Sequence, residues 1–172
     1  MSKYLSFESD RLYIRPTTEE DAALILAIFT APKAIRFIGD RNLHSEEDAR
    51  AYIRNRTLTQ MRKLGYANYT LVLKSTGQKV GVCGLYSRED MPLVDLGYAL
   101  LPTTEGHGYI RESATRIMQA AKEDFGQQKL SAVTSPDNHE SIKVLQALGF
   151  VHKGQCNVAG YEGASEYFEV EL

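Results

Sequence analysis

Between Asp95 and Glu112 the chain passes from a short apolar segment, Asp95-Leu96-Gly97-Tyr98-Ala99-Leu100-Leu101, through Pro102 into Glu105-Gly106-His107-Gly108-Tyr109 and then a helical pattern. A strand that turns through glycines into a helix N-terminus directs several unpaired backbone N–H groups at one point, where the helix dipole adds partial positive charge. That arrangement suits a diphosphate. Side chains at Gly106 and Gly108 would block the approach of phosphates or force an unfavourable φ. A plain tight turn before a helix is the alternative reading. A second segment, Ser135-Pro136-Asp137-Asn138-His139-Glu140-Ser141, runs into the helical pattern Ile142 to Phe150. Asn138 there reads as a helix-entry cap as readily as a ligand contact, and Ser141 as a cap or a free hydroxyl.

These residues need a frame. Leu12 and Ile14 alternate with Arg11, Tyr13 and Arg15, as in a half-buried strand. Thr18 can cap a helix whose apolar face is Ala22, Leu24, Ile25, Ile28 and Phe29, with Pro32 as its stop. Ser45 with Glu46, Glu47 and Asp48 opens a second helix, to Leu64, closed by Gly65. Tyr66–Leu73 and Lys79–Tyr86 read as a hairpin about a Ser75-Thr76-Gly77-Gln78 turn, followed by the strand Asp95–Leu101. Gly108–Phe125 is a helix burying Ile117, Ala120, Ala121 and Phe125. Leu130–Thr134 is a buried strand, Ser141–Leu148 a helix, and Phe150–Val158 and Tyr167–Leu172 the last strands. The order β-α-α-β-β-β-α-β-α-β-β predicts an α/β fold with a mixed sheet, helices on both faces and a ligand crevice at strand C-terminal ends.

Bulk properties narrow the function classes. At 172 residues the chain fits one domain, 1–172, with neither repeat nor linker. A net charge of −2, with Lys and Arg scattered, leaves no electrostatic footprint for nucleic acid or an anionic membrane. Cys83 and Cys156 stand in apolar strand-like surroundings outside any metal-binding spacing, so the expectation is no metal and buried thiols in a reducing compartment. The first residues, Met1 to Glu8, have no apolar signal core, and the longest apolar run, Ala22 to Phe29, falls far short of the roughly 20 residues of a membrane span. The expected location is the cytoplasm.

Together these motifs resemble the acetyl-CoA-dependent N-acyltransferase superfamily (GNAT), and within it the RimJ/RimL branch of ribosomal-protein N-terminal acetyltransferases. The matching positions are Leu96, Gly97, Tyr98, Pro102, Gly106, Gly108, Tyr109, Glu112, Asn138, Ser141, Leu148, Gly149 and Phe150, with Ser9 to Pro16 and Glu19 to Ala22 resembling the family's opening strand and first helix. The resemblance implies a mixed, mostly antiparallel sheet splayed at its fourth strand. It further implies acetyl-CoA as cosubstrate, with Ala99, Leu100 and Leu101 pairing their backbone with pantetheine and the N–H groups of Gly106, His107, Gly108, Tyr109, Ile110 and Arg111 taking the diphosphate. Asn138 would hold the splayed strands or the pantetheine arm. Two departures stand out: Glu105 puts an acid beside an anion site, and Ile110 replaces a small residue. Arg111 and His107 can offset the acid by pairing with phosphate, or they are exposed surface.

The implied reaction is direct attack of a neutral amine on the thioester. Its oxyanion would be held by a backbone N–H of the splayed strand, and Ser141 would donate to the leaving thiolate. Asp95 is the candidate base, and a strand-pairing or surface carboxylate is the plainer alternative. The partner is a primary amine, either a protein N-terminus or a small amine, and the protein itself a monomer or homodimer. Loops Ile35–His44, Ser87–Leu93 and Val158–Ser165 would set the acceptor, and Glu89, Asp90, Glu162 and Glu166 give them acid character suited to a cationic amine. Glu162 lies near the place where some RimL-type enzymes carry their base but does not match it. A CoA-binding sensor or inactive scaffold is the alternative function. A dinucleotide-binding domain is weakly supported, because the third glycine and the acidic strand end are missing.

Overall fold

The computed structural model describes residues 3–161 and 163–172. The alternating segment forms β2 (Leu12–Pro16), and a two-residue strand β1 (Phe7–Glu8), too short to show a period in sequence, pairs with it. The Thr18 side chain accepts from the Glu20 N–H and the Asp21 carboxylate accepts from the Thr18 N–H, a reciprocal cap leading into α1 (Ala22–Thr30). Burial pushes the Asp21 carboxyl up, yet paired bonds from Arg15, each 2.8 Å, and Lys79 at 2.7 Å hold it well below the usual carboxylate range. This buried ion cluster pins the entrance of α1 to the sheet.

Pro32 does more than end α1. It opens a further helix, α2 (Pro32–Phe37), because a proline at the first helical position loses no hydrogen bond. The segment read as a loop from Ile35 to His44 therefore begins inside a helix. The helix predicted from Ser45 to Leu64 forms as α3 (Glu46–Tyr52), one π turn (Ile53–Thr57) and α4 (Leu58–Leu64), ended by Gly65. The hairpin is β3 (Asn68–Leu73) and β4 (Lys79–Tyr86), followed by β5 (Asp95–Leu100). Then come α5 (Tyr109–Glu123), β6 (Lys129–Thr134), α6 (His139–Ala147), β7 (Val151–Cys156) and β8 (Ser165–Glu171).

All eight strands belong to one mixed sheet in the order β1-β2-β3-β4-β5-β6-β8-β7. The β5–β6 pair is parallel and the others are antiparallel. Strand β4 supplies both faces: Cys83 and Leu85 pack with Ala114, Ile117 and Ala121 of α5, while Val82 packs with Ile25 and Ile28 of α1 and Ala49 of α3. Burial of these aliphatic faces at about 25 cal/mol per Å² anchors the helices to the sheet. No helix among the described residues is long and apolar enough to cross a membrane.

Candidate active site

The site begins where the sheet fails. β5 pairs with β4 along its whole length, from Gly81↔Leu100 to Tyr86↔Asp95, but meets β6 at one position, Asp95↔Ser131. Beyond Asp95 the two strands separate, leaving one edge of β5 unpaired inside the protein. The Leu101 N–H donates to Val80 O at 2.9 Å, and the Ser131 N–H donates to Val94 O on the other side. Antiparallel alternation then turns the backbone groups of Gly97, Ala99 and Leu101 toward β4, and those of Tyr98 and Leu100 into the gap. Of the three residues expected to pair with pantetheine, only Leu100 has that register. The Leu101 carbonyl is also engaged, accepting from the Thr104 N–H at 2.9 Å and the Thr104 hydroxyl at 2.8 Å.

On one side of the gap lies a cleft of about 300 Å³, bounded by Tyr98 to Leu100, Gly106, Gly108 to Arg111 and the start of α6. Gly106 and Gly108 both take left-handed backbone, φ +83° and +79°, which disfavours any side chain at either position. This bend brings the first turn of α5 to the cleft, where the N–H groups of Tyr109, Ile110 and Arg111 have no partner within the helix. Glu112 fastens that helix start: it accepts from the Arg11 N–H at 2.9 Å and Arg11 Nε at 2.7 Å. His107 stacks on Tyr109, ring centroids 5.5 Å apart, outside the cleft lining. Glu105 does not stand as a bare acid, because Lys33 Nζ of α2 reaches it at 3.1 Å and Glu140 of α6 at 2.7 Å. Ile110 forms part of the apolar wall.

On the other side lies a larger cleft of about 890 Å³. The two share Ile38, Tyr98, Ala99, Asn138 and Ser141, so they meet at one point on the splayed strand. Asn138 caps α6, its Oδ1 accepting from the Ser141 N–H at 3.2 Å. This leaves the Ser141 hydroxyl to meet the Tyr98 hydroxyl, 2.9 Å away across the junction. Burial raises the Tyr98 phenol above its ordinary value, so it stays protonated at neutral pH.

Asp95 lines the larger cleft and is 1% exposed, which removes the surface-carboxylate reading. Its carboxylate accepts from Ser131 Oγ at 3.2 Å and lies 3.5 Å from Arg88 Nε. Burial pushes its pKa up to about 7, against the opposing pull of Arg88 and Ser131. Above it, Gly97 makes room for the Tyr86 ring, whose edge a Cβ at Gly97 would meet at 2.7 Å, and the Tyr86 hydroxyl bonds Asn68 Oδ1.

The loops predicted to set the acceptor do surround this cleft, through Arg41, Arg88 and Tyr161 among others. Their charge differs from the acid character read in the sequence. Glu89 and Asp90 line the cleft, but Glu166 is turned to Gln155 and His152 on β7, and Glu162 lies outside the described residues. Arg41, Arg56, Lys63 and Arg88 line the same cleft. Sequence reasoning missed Arg56 and Lys63, which belong to a helical segment whose π turn leaves no mark in the residue pattern. It also left Tyr98 without a role, because alternation puts its side chain on the face of β5 opposite Asp95 and Gly97, and its hydroxyl partner Ser141 lies on a distant helix. No metal-holding group of His, Cys, Asp and Glu occurs among the described residues.

A splayed strand between two clefts, with a glycine-bent helix N-terminus at one of them, defines an acyl-transfer architecture, and comparison with known proteins agrees. The chain belongs to the Acetyltransferase (GNAT) domain family, whose model matches residues 11–151. It is 25% identical over 161 residues to YoaA, an uncharacterized N-acetyltransferase of Bacillus subtilis (strain 168), covering 93% of this chain and 90% of that protein. An acetyltransferase from Agrobacterium tumefaciens str. C58 shares the fold at a TM-score of 0.84, with 20% identity, over 100% of this chain and 97% of that one. The ribosomal-protein-S5-alanine acetyltransferase of Vibrio fischeri superposes at 0.76, with 20% identity, over 97% and 96%.

Proposed function

We propose that this protein transfers an acetyl group from acetyl-CoA to a primary amine, by direct attack with both substrates bound, and that it is akin to the RimJ/RimL type of N-acetyltransferase. One observation carries this reading: the two clefts meet at the stretch of β5 that has left β6, beside the Tyr98–Ser141 hydroxyl pair, and Asp95 lines the larger of them. The smaller cleft fits the cosubstrate, since it combines an apolar wall, a free strand edge and the amides of the α5 N-terminus. Acetyl-CoA supplies an activated thioester carbonyl there.

The chain's own groups then divide the work. Backbone N–H groups of the Tyr98–Leu100 edge stabilise the oxygen that becomes negative when the amine nitrogen adds to the carbonyl carbon. The Tyr98 phenol, oriented by Ser141, donates a hydrogen bond to the thiolate, which leaves as the anion. Asp95 takes the proton that the amine must lose, and a carboxylate titrating near 7 is matched to that task at neutral pH. Arg88 holds this carboxylate in place.

Calorimetric titration with acetyl-CoA, followed by thiol release in the presence of primary amines, tests the reading. The expected result is binding that Gly108→Trp abolishes without loss of the folding transition, and amine-dependent release of CoA. Binding without release under any amine would leave a CoA-binding scaffold as the function.

A further inference from the structure

The larger cleft carries information about what enters it. Arg41, Arg56, Lys63 and Arg88 reach it from four segments: the loop after α2, the π turn, α4 and the β4–β5 loop. Among the described residues only Arg88 is ion-paired, to Asp95. Among the described residues the buried Nε–H of Arg41 has no hydrogen-bond acceptor, and that of Arg88 meets Asp95 Oδ2 at 3.5 Å without forming a hydrogen bond. Both guanidinium groups lie over the Tyr161 ring, 6.0 Å and 5.7 Å from its centroid, so one aromatic side chain gathers them. Buried donors are ordinarily satisfied, and the planar guanidinium fork matches a carboxylate. The cleft's own acids leave Arg41 without a partner among the described residues: Asp90 accepts from the Ala159 N–H at 3.1 Å, Asp95 is engaged by Arg88 and Ser131, and Glu89 is exposed.

Building on the amine-acetylating function above, we propose that the acceptor is an amine that also carries a carboxylate, which Arg41 and Arg88 bind while the amine faces Asp95. A free amino acid and the N-terminus of a peptide whose second residue is acidic both present this chemistry. A polyamine or aminoglycoside brings positive charge toward four cations and is disfavoured.

The test uses pairs that differ in charge alone. Free amino acids are compared with their carboxamides, and tripeptides with acidic second residues with their amide counterparts, alongside spermidine. Thiol release reads turnover, and calorimetric titration of the CoA-loaded protein reads acceptor binding by itself. The acid of a pair should exceed its amide by roughly tenfold or more in kcat/KM or in affinity, the scale of a charge-assisted pair. Whether the free acids or the peptides show the larger ratio identifies the source. Arg41→Gln should lower the ratio by about tenfold, Arg41→Lys should recover part of it, and the acetyl-CoA affinity should stay within about twofold in both. Arg56→Gln, at an exposed position of the π turn, provides the same reading with a smaller drop if Arg41→Gln does not fold. Equal response to acid and amide, or a preference for spermidine, overturns the proposal. If no amine turns over, the proposed reaction fails, while selective binding of the acids still supports the carboxylate site and its absence rejects it.

Discussion

The two clefts share one strand but treat charge in opposite ways. At the smaller cleft the cation Lys33 is held by two carboxylates, Glu105 and Glu140, and the anion-binding capacity comes from backbone amides at the start of α5. At the larger cleft the cations Arg41, Arg56 and Lys63 have no carboxylate partner among the described residues, and the one paired arginine faces a buried acid. Backbone amides can bind any phosphate ester of suitable shape, so the smaller cleft needs little from its side chains. Selectivity between amines must come from side chains, and those converge on the larger cleft from separate loops. The difference teaches that the departures at Glu105 and Ile110 fall where the fold tolerates them best.

The comparison can be broken most sharply at Asp95. Asp95→Asn should lower kcat by roughly 10²- to 10⁴-fold, as loss of a general base does, while acetyl-CoA affinity stays within about twofold. Steady-state kinetics beside calorimetry reads both; a parallel loss of cosubstrate binding would mean that the clefts are not separable. The same residue predicts a pH effect on stability. Its folded pKa is raised to about 7, so the folded state binds the proton more tightly than the unfolded chain does. Stability from this group is fully present below the ordinary carboxylate pKa and is lost as pH rises through about 7. In that interval the slope approaches about 1.4 kcal/mol per pH unit. Urea unfolding of the protein and of Asp95→Asn between pH 5 and pH 8 should therefore show the variant gaining relative stability with pH.

Smaller effects probe the junction and the donor side. Tyr98→Phe should reduce kcat by about tenfold, in keeping with loss of a positioned hydrogen-bond donor to a thiolate that already leaves well. Ser141→Ala should cost only about threefold through loss of one orienting hydrogen bond. The order of these two variants in single-turnover thiol release decides which hydroxyl serves the leaving group. Glu105→Gln should be the mildest, tightening acetyl-CoA binding by about threefold at low salt and less at high salt, because the Lys33–Glu105 pair is partly exposed and screened. Weaker binding would show instead that Glu105 organises the cleft.

Much of this architecture was legible in the residue pattern. Period-2 and period-3.6 spacing located β2 to β5, α5 and α6, and the glycines at 106 and 108 announced the bend that presents the α5 amides. Local chemistry also misleads: Pro32 reads as a stop although it suits a first helical position equally, and the π turn at Ile53–Thr57 changes phase without changing composition. Short β1 was invisible because two residues cannot display a period.

The sequence by itself determined which elements form and that an anion-binding helix start follows an apolar strand, since these depend on neighbours within a few residues. Only the tertiary structure decided which backbone groups of β5 face the gap, because that depends on the single pair it makes with β6. Tertiary structure alone also buried Asp95 beside Arg88, joined the hydroxyls of Tyr98 and Ser141, and gathered Arg41 and Arg88 at Tyr161. Each of those contacts joins residues distant in the chain, and the charge state and partners of a side chain follow from the surroundings that folding assembles.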